Sequence, residues 1–168
     1  MLHVAKGYVI FVDRINYRIG RVMMYGIFVM IGILLWSSIS KTFFHPSLWT
    51  LEMAQFAMVT YYIMGGPYSL QMGANVRMDL FYSNWSDRTK AWVDSFTIVF
   101  LITYLCVLLW GGFESTQYAI EYGERSYSAW RPYMWPIKVI LCLGIFLMIL
   151  QAVSELIKDI CKIRGEEI

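Results

Sequence analysis

Residues 22–40 read VMMYGIFVMIGILLWSSIS and residues 95–113 read SFTIVFLITYLCVLLWGGF, and neither stretch contains a charged side chain. Residues 53–76 and 139–154 form two further uncharged runs. A helix that crosses a bilayer needs roughly 20 mostly apolar residues, because each residue adds about 1.5 Å to the path through the hydrocarbon. The sequence therefore predicts four transmembrane helices. We expect them at about residues 22–40, 48–72, 91–113 and 135–157.

The composition of the whole chain agrees with a lipid environment. Of its 168 residues 58% are hydrophobic and 15% are charged, whereas soluble domains average about 45–50% apolar and about 25% charged residues. Helices are favoured in lipid because they satisfy their own backbone hydrogen bonds, and the short alternating segments of a barrel are absent. We expect an all-α membrane protein in which residues 1–168 form a single four-helix domain.

A basic face and an apolar stripe run side by side along residues 8–21. The basic face consists of Arg14, Arg18 and Arg21, spaced by four and three residues. The apolar stripe beside it, also at helical spacing, consists of Phe11, Ile15 and Ile19. This pattern predicts an N-terminal amphipathic helix in the membrane surface, with its arginines toward anionic headgroups. The alternative is a direct extension of the first span.

The distribution of Lys and Arg predicts the orientation. If both termini lie on one side, that side holds ten of the 14 basic residues and the other side holds four. Cytoplasmic loops carry the excess of Lys and Arg. Both termini are therefore expected in the cytoplasm, and so is the connection between the second and third spans.

Two helix ends have distinctive signals. Gly65, Gly66 and Pro67 come late in the second span, where Pro67 predicts a kink or local unwinding; a break at a substrate site is the alternative. The third span does not stop at residue 113, because acidic and amide residues continue at helical spacing. We expect this extension to reach about residue 123, with Gly123 as its terminator.

The sequence contains no pattern for catalysis, metal binding or cofactor binding. Its two histidines, His3 and His45, lie outside the spans, and its three cysteines form no C-x-x-C pair. Catalytic and nucleotide-binding motifs are absent as well. We therefore expect no enzyme activity, no cofactor and no nucleic-acid partner. The middles of the four spans also lack charges, which an ion or substrate pathway would need.

Two segments resemble a known family. Residues 65–94, GGPYSLQMGANVRMDLFYSNWSDRTKAWVD, are similar to that family's small-residue helix end, its H-V-R-x-D segment and the helix start that follows. Asn75 stands where the family commonly has His. Residues 114–138, ESTQYAIEYGERSYSAWRPYMWPIK, are similar to its outer helix extension and proline-marked return. In these features the chain resembles the small, Q-type (DctQ-like) membrane subunit of tripartite ATP-independent periplasmic (TRAP) transporters.

The resemblance implies a role in secondary active transport. In this family a periplasmic solute-binding protein delivers a solute, often a carboxylate or other organic anion, to a large membrane subunit that holds the solute and sodium sites. The small subunit braces the large one and contributes to the periplasmic docking surface. The chain is accordingly expected in a bacterial or archaeal cytoplasmic (inner) membrane.

Several residues receive expected roles alongside the resemblance. Asn75, Arg77 and Asp79 would fix the turn between helices 2 and 3, with Asp94 as a partner; alternatively, Arg77 only sets the topology. The residues expected to dock the solute-binding protein are Glu114, Glu121, Glu124 and Arg125. The residues expected to contact the large subunit are Glu52 and Gln55. A solvated helix face is the alternative for the docking residues, and a wet membrane interface is the alternative for Glu52 and Gln55.

Two other function classes stay open. A stand-alone four-helix channel or homo-oligomeric membrane scaffold would associate with itself, without a larger partner. A membrane anchor for a quinone-linked oxidoreductase would be expected to carry histidine within its spans, and this chain has none there.

Overall fold

The computed structural model describes residues 2–73 and 87–164, and these residues form four helices. They are α1 (Leu2–Phe43), α2 (Thr50–Gln71), α3 (Asp87–Glu121) and α4 (Trp135–Arg164). The all-α prediction is confirmed for this part of the chain. Successive helices run in opposite directions, so the bundle has two ends. We call the end with the 44–49 and 122–134 connections the loop end, and the end with Leu2 and Arg164 the terminal end.

Three helices in the described ranges are long and apolar enough to cross a membrane. The qualifying segments are Ala5–Phe43, Trp92–Glu121 and Trp135–Ile163. The 22 residues of α2 would extend about 33 Å at 1.5 Å per residue, which is long enough. Its second half, however, contains three tyrosines, two glycines and a proline, which lower its hydropathy. The fourth span therefore stays a prediction.

The N-terminal segment is part of α1. Residues 8–21 continue into residues 22–40 without a break, which is the arrangement of a direct extension rather than of a separate helix. Val9 and Val12 are each only 3% exposed, and the Tyr8 hydroxyl donates to the carbonyl of Leu150 in α4 at 3.1 Å. Packing against α4 therefore keeps this segment in line with the rest of α1. Its placement relative to the membrane surface stays a prediction.

The helix α4 is the centre of the bundle, because it packs against α1, α2 and α3. In the most apolar part of each helix, 33% of the residues of α4 are buried inside the chain, against 6% for α1 and for α3. The apolar side chains that α1 exposes include Val22, Tyr25, Phe28, Leu35 and Trp36. Those of α3 include Phe96, Phe100, Tyr104, Val107 and Trp110.

Glycine lets α4 approach α2 closely. A Cβ at Gly144 would lie 2.1 Å from Cγ2 of Ile63 and 3.1 Å from its carbonyl oxygen. Pro67, four residues after Ile63, has no N–H to donate to that carbonyl, and the backbone of α4 covers it. Of the predicted kink or local unwinding, the unwinding does not occur, since α2 continues through the glycines and Pro67 to Gln71; the kink stays a prediction.

Candidate docking loop and helix-anchoring cluster

The α3–α4 connection is a folded loop. Gly123 has a φ of 59° and follows the end of α3, and the Glu124 N–H donates to the carbonyl of Ala119 at 3.0 Å. Beyond it the chain doubles back: the Ser126 N–H donates to the carbonyl of Pro132 at 2.9 Å, and the Met134 N–H donates to that of Glu124 at 3.0 Å. Gly123 thus ends the helix as predicted, because glycine adopts this left-handed conformation without steric cost.

Side chains tie this loop to the start of α4. Lys138 forms an ion pair with Glu124. The Arg125 guanidinium lies 4.3 Å from the centre of the Tyr133 ring and also donates to the hydroxyl of that ring. Two of the four predicted docking residues, Glu124 and Arg125, therefore take part in holding the loop together.

The other two docking candidates, Glu114 and Glu121, lie on the exposed surface of α3. The Trp110 indole N–H donates to the Glu114 carboxylate at 2.8 Å, one helical turn away. Glu121 has no hydrogen-bond or ion-pair partner among the residues that the structure describes. Of the four, Glu121 therefore has the carboxylate most available to a partner.

Glu52 lies in the first turn of α2 and turns inward, with only 6% of its surface exposed. Its Oε1 accepts a hydrogen bond from the Ser126 hydroxyl at 2.6 Å, which joins α2 to the α3–α4 loop. Its Oε2 has no hydrogen-bond partner within residues 2–73 and 87–164. Gln55, the other residue expected to contact the large subunit, is exposed. The two residues therefore differ: Glu52 contacts the chain's own loop, whereas Gln55 is free to meet a partner.

A buried polar cluster at the terminal end was not predicted from the sequence. Asn16 of α1 is 1% exposed, and its Nδ2 donates to Oε1 of Gln151 in α4 at 2.7 Å. Gln151 is fully buried, and its Nε2 donates to Oδ1 of Asp13 at 2.9 Å and to Oε1 of Glu155 at 3.0 Å. The contacts of Gln151 with Asn16 and Asp13 join residues that lie 135 and 138 positions apart in the sequence.

Asp13 is the centre of this helix-anchoring cluster. Its Oδ1 also accepts from the buried Ser154 hydroxyl at 3.1 Å, and its Oδ2 lies 2.7 Å from Nζ of Lys158. Lys158 pairs in addition with Glu155 at 2.8 Å, and Gln71 at the end of α2 donates to the Asp13 carbonyl at 3.3 Å. The cluster therefore joins α1, α2 and α4. Gln151, Glu155 and Lys158 share one helix face by their spacing, which is the only sequence signal for this cluster, and it does not show which helix they meet.

The remaining predicted residues are distributed as follows. Asn75, Arg77 and Asp79 lie outside the described residues, and Asp94 lies in α3. All three arginines of the predicted basic face, Arg14, Arg18 and Arg21, are exposed. The Arg21 guanidinium lies 5.4 Å from the centre of the Tyr17 ring.

Comparison with known proteins identifies the family. The model of the family described as "Tripartite ATP-independent periplasmic transporters, DctQ component" matches residues 30–162. No curated protein and no solved structure matches the chain. The matched range contains the last 14 residues of α1, all of α2 and α3, and most of α4. The chain belongs to the DctQ family of small TRAP-transporter membrane subunits.

Proposed function

We propose that this subunit braces the large membrane subunit of a sodium-coupled, binding-protein-dependent transporter that imports an organic anion such as a carboxylate. Family membership supports a role in transport rather than catalysis. The observation that carries the bracing role is the wide apolar surface of α1 and α3, of which the bundle itself buries little. The polar clusters of the described residues lie at the two ends of the bundle, which supports an apolar wall rather than a solute path.

We further propose that all four helices cross the membrane, with the terminal end in the cytoplasm. The position of α2 supports its inclusion, because it is held to neighbouring helices at both ends. At the loop end Glu52 bonds the α3–α4 loop, and at the terminal end Gln71 bonds the backbone of α1. If α1 and α4 cross a bilayer, α2 lies between them at the same depth. The arginines of α1 would then anchor the chain at the cytoplasmic surface of the membrane.

The loop end is then periplasmic and suits docking of the solute-binding protein. The folded loop presents Tyr127 fully to solvent, and the free carboxylate of Glu121 lies at the adjoining end of α3. A loop that is fixed by two backbone hydrogen bonds and by Glu52 loses less conformational entropy on docking than a flexible loop does. Gln55, exposed on the first turns of α2, is the residue proposed to contact the large subunit. For the connection around Arg77 and Asp79, the proposed role stays that of a cytoplasmic turn.

Photocrosslinking in the native membrane tests the bracing role. A photoreactive amino acid would replace Phe28 on α1 or Trp110 on α3, which are 67% and 72% exposed. Ile145, 1% exposed inside the bundle, is the matched control position. We expect crosslinks from one or both exposed positions to a larger polytopic membrane protein, and none from the control. Crosslinks exclusively to a second copy of this chain would instead support the stand-alone channel or homo-oligomeric scaffold.

A further inference from the structure

An open groove runs between α1 and α4 at the loop end of the bundle. These two helices are joined at the terminal end by Tyr8 and the Asp13 cluster, whereas at the loop end α2 separates them. The groove has a volume of about 820 Å³. Its walls include Gly26 and Val29 of α1 and Ile140 of α4, and Phe56 of α2 lies in its floor.

The groove is apolar along its length. Thr60 is a hydroxyl-bearing residue of its floor, and that hydroxyl already donates to the carbonyl of Phe56 at 2.8 Å. Apart from the Tyr61 hydroxyl, the lining from α1 and α2 therefore offers hydrocarbon to an occupant. Protein interiors are close-packed, so an open apolar space of this size beside lipid is expected to be filled by a chain from the bilayer or from a partner.

The head of the groove is cationic and aromatic. Arg131 lines it in a left-handed backbone conformation, with a φ of 51°, which is uncommon for a residue with a side chain. Its N–H donates to the Ser128 hydroxyl at 3.2 Å, and its guanidinium has no acceptor among the residues that the structure describes. Trp130 and Tyr133 lie beside it in the groove lining, and such aromatic side chains favour the headgroup level of a membrane.

The charges near the groove head favour a negatively charged headgroup. The Arg125 guanidinium lies over Tyr133, so a second cation is close to the groove lining. Two carboxylates at this end of the bundle are engaged elsewhere, since Glu124 pairs with Lys138 and Oε1 of the buried Glu52 accepts from Ser126. Arginine binds phosphate oxygens in a bidentate geometry. An apolar helix of a partner protein would fill the groove but would leave Arg131 without its acceptor.

We propose that this groove binds one anionic phospholipid, with an acyl chain along Val29, Phe56 and Ile140 and its phosphate on Arg131. The inference rests on the chain's place in the membrane and not on its bracing role. The lipid would come from the leaflet at the loop end. It would fill the space between α1 and α4 and complete the surface of the bundle there.

Native mass spectrometry of the chain, purified alone and in the complex it forms, tests this site. The probes are phosphatidylglycerol and phosphatidylethanolamine, added in equal amounts to protein in mild detergent. We expect one retained phosphatidylglycerol per chain, favoured about tenfold over phosphatidylethanolamine. Arg131→Gln should remove most of that preference. Lys41→Gln, which removes an exposed cation at the same end but outside the groove lining, should leave it unchanged.

A second pair of variants tests the acyl-chain position and does not depend on charge. A Cβ at Gly26 meets only Tyr61 at 3.5 Å, an ordinary contact, whereas a Cβ at Gly32 meets nothing within 4 Å. Gly26→Leu should therefore fold but fill the groove and lower lipid retention several-fold, and Gly32→Leu should not. Equal retention in Gly26→Leu and Gly32→Leu, or equal loss of preference in Arg131→Gln and Lys41→Gln, would overturn the proposal. So would a complex in which a partner helix crosslinks to Val29 and no lipid is retained.

Discussion

Removing the carboxylate of Asp13 is expected to destabilise the bundle, because this group joins α1 to α4. Asp13→Ala deletes three contacts: those from Gln151 at 2.9 Å, from Ser154 at 3.1 Å and from Lys158 at 2.7 Å. Ser154 is fully buried and would lose the acceptor of its hydroxyl. Gln151 and Lys158 would each keep a contact with Glu155, which limits the loss.

The magnitude follows from these contacts. Interhelical hydrogen bonds in membrane proteins average about 0.6 kcal/mol and reach about 1.7 kcal/mol, and an unsatisfied buried donor costs about 1–3 kcal/mol. We therefore expect Asp13→Ala to lower the free energy of unfolding by about 2–4 kcal/mol. By the scaling of soluble chains of this size, about 2–4 °C per kcal/mol, the melting temperature should fall by about 4–16 °C.

Asp13→Asn is the matched variant. Its side-chain oxygen can still accept from Gln151 and Ser154, but its charge no longer pairs with Lys158. Because Asp13 and Lys158 are partly exposed, with side-chain exposures of 23% and 24%, the ion pair contributes modestly, about 1 kcal/mol or less. Thermal unfolding followed by tryptophan fluorescence in mild detergent should rank wild type above Asn and Asn above Ala. An Ala variant that melts within about 1 °C of wild type would refute this account of the cluster.

Two further substitutions test the loop end and the helix contact. Glu52→Ala should free the α3–α4 loop and increase its amide hydrogen exchange. Gln55→Ala changes an exposed residue of the same helix and should leave this exchange unchanged. Equal exchange in the two variants would contradict the role of Glu52. Gly144→Val should destabilise the bundle by about 3 kcal/mol or more, because its Cβ would clash with the side chain and approach the backbone of the facing isoleucine. Gly111→Val should cost little, because nothing lies within 4 Å of its Cβ and valine has a better helix propensity than glycine. A similar loss in both variants would argue against close α2–α4 packing.

Three of the four predicted spans coincide with helices that are long and apolar enough to cross a membrane, because lipid leaves the backbone few alternatives to a helix. The charge-free runs at residues 22–40 and 95–113 each lie within one long apolar helix of the structure. The signal is weaker for α2, where Pro67 and its neighbouring tyrosines and glycines lower the hydropathy. The argument that α2 crosses the membrane depends on its position between other helices, and the local sequence pattern carries no information about that position.

The helix-anchoring cluster and the folded loop were harder to predict. Asp13 and Gln151 are 138 residues apart, and their contact depends on how α1 packs against α4. Glu52 and Ser126 are likewise 74 residues apart, so the inward turn of Glu52 has no local signal. The separate interfacial helix had a clear local pattern, but the pattern could not show that Val9 and Val12 are buried, that Tyr8 bonds α4, or that α1 is one continuous helix through this region.

Purification of the tagged chain from its native membrane tests the central claim most directly. After gentle extraction, mass spectrometry would identify and quantify the proteins that copurify. We predict a larger polytopic transport subunit in an amount about equal to that of this chain. Recovery of this chain alone as a stable homo-oligomer, in several mild detergents, would contradict the bracing role and favour a stand-alone channel or scaffold.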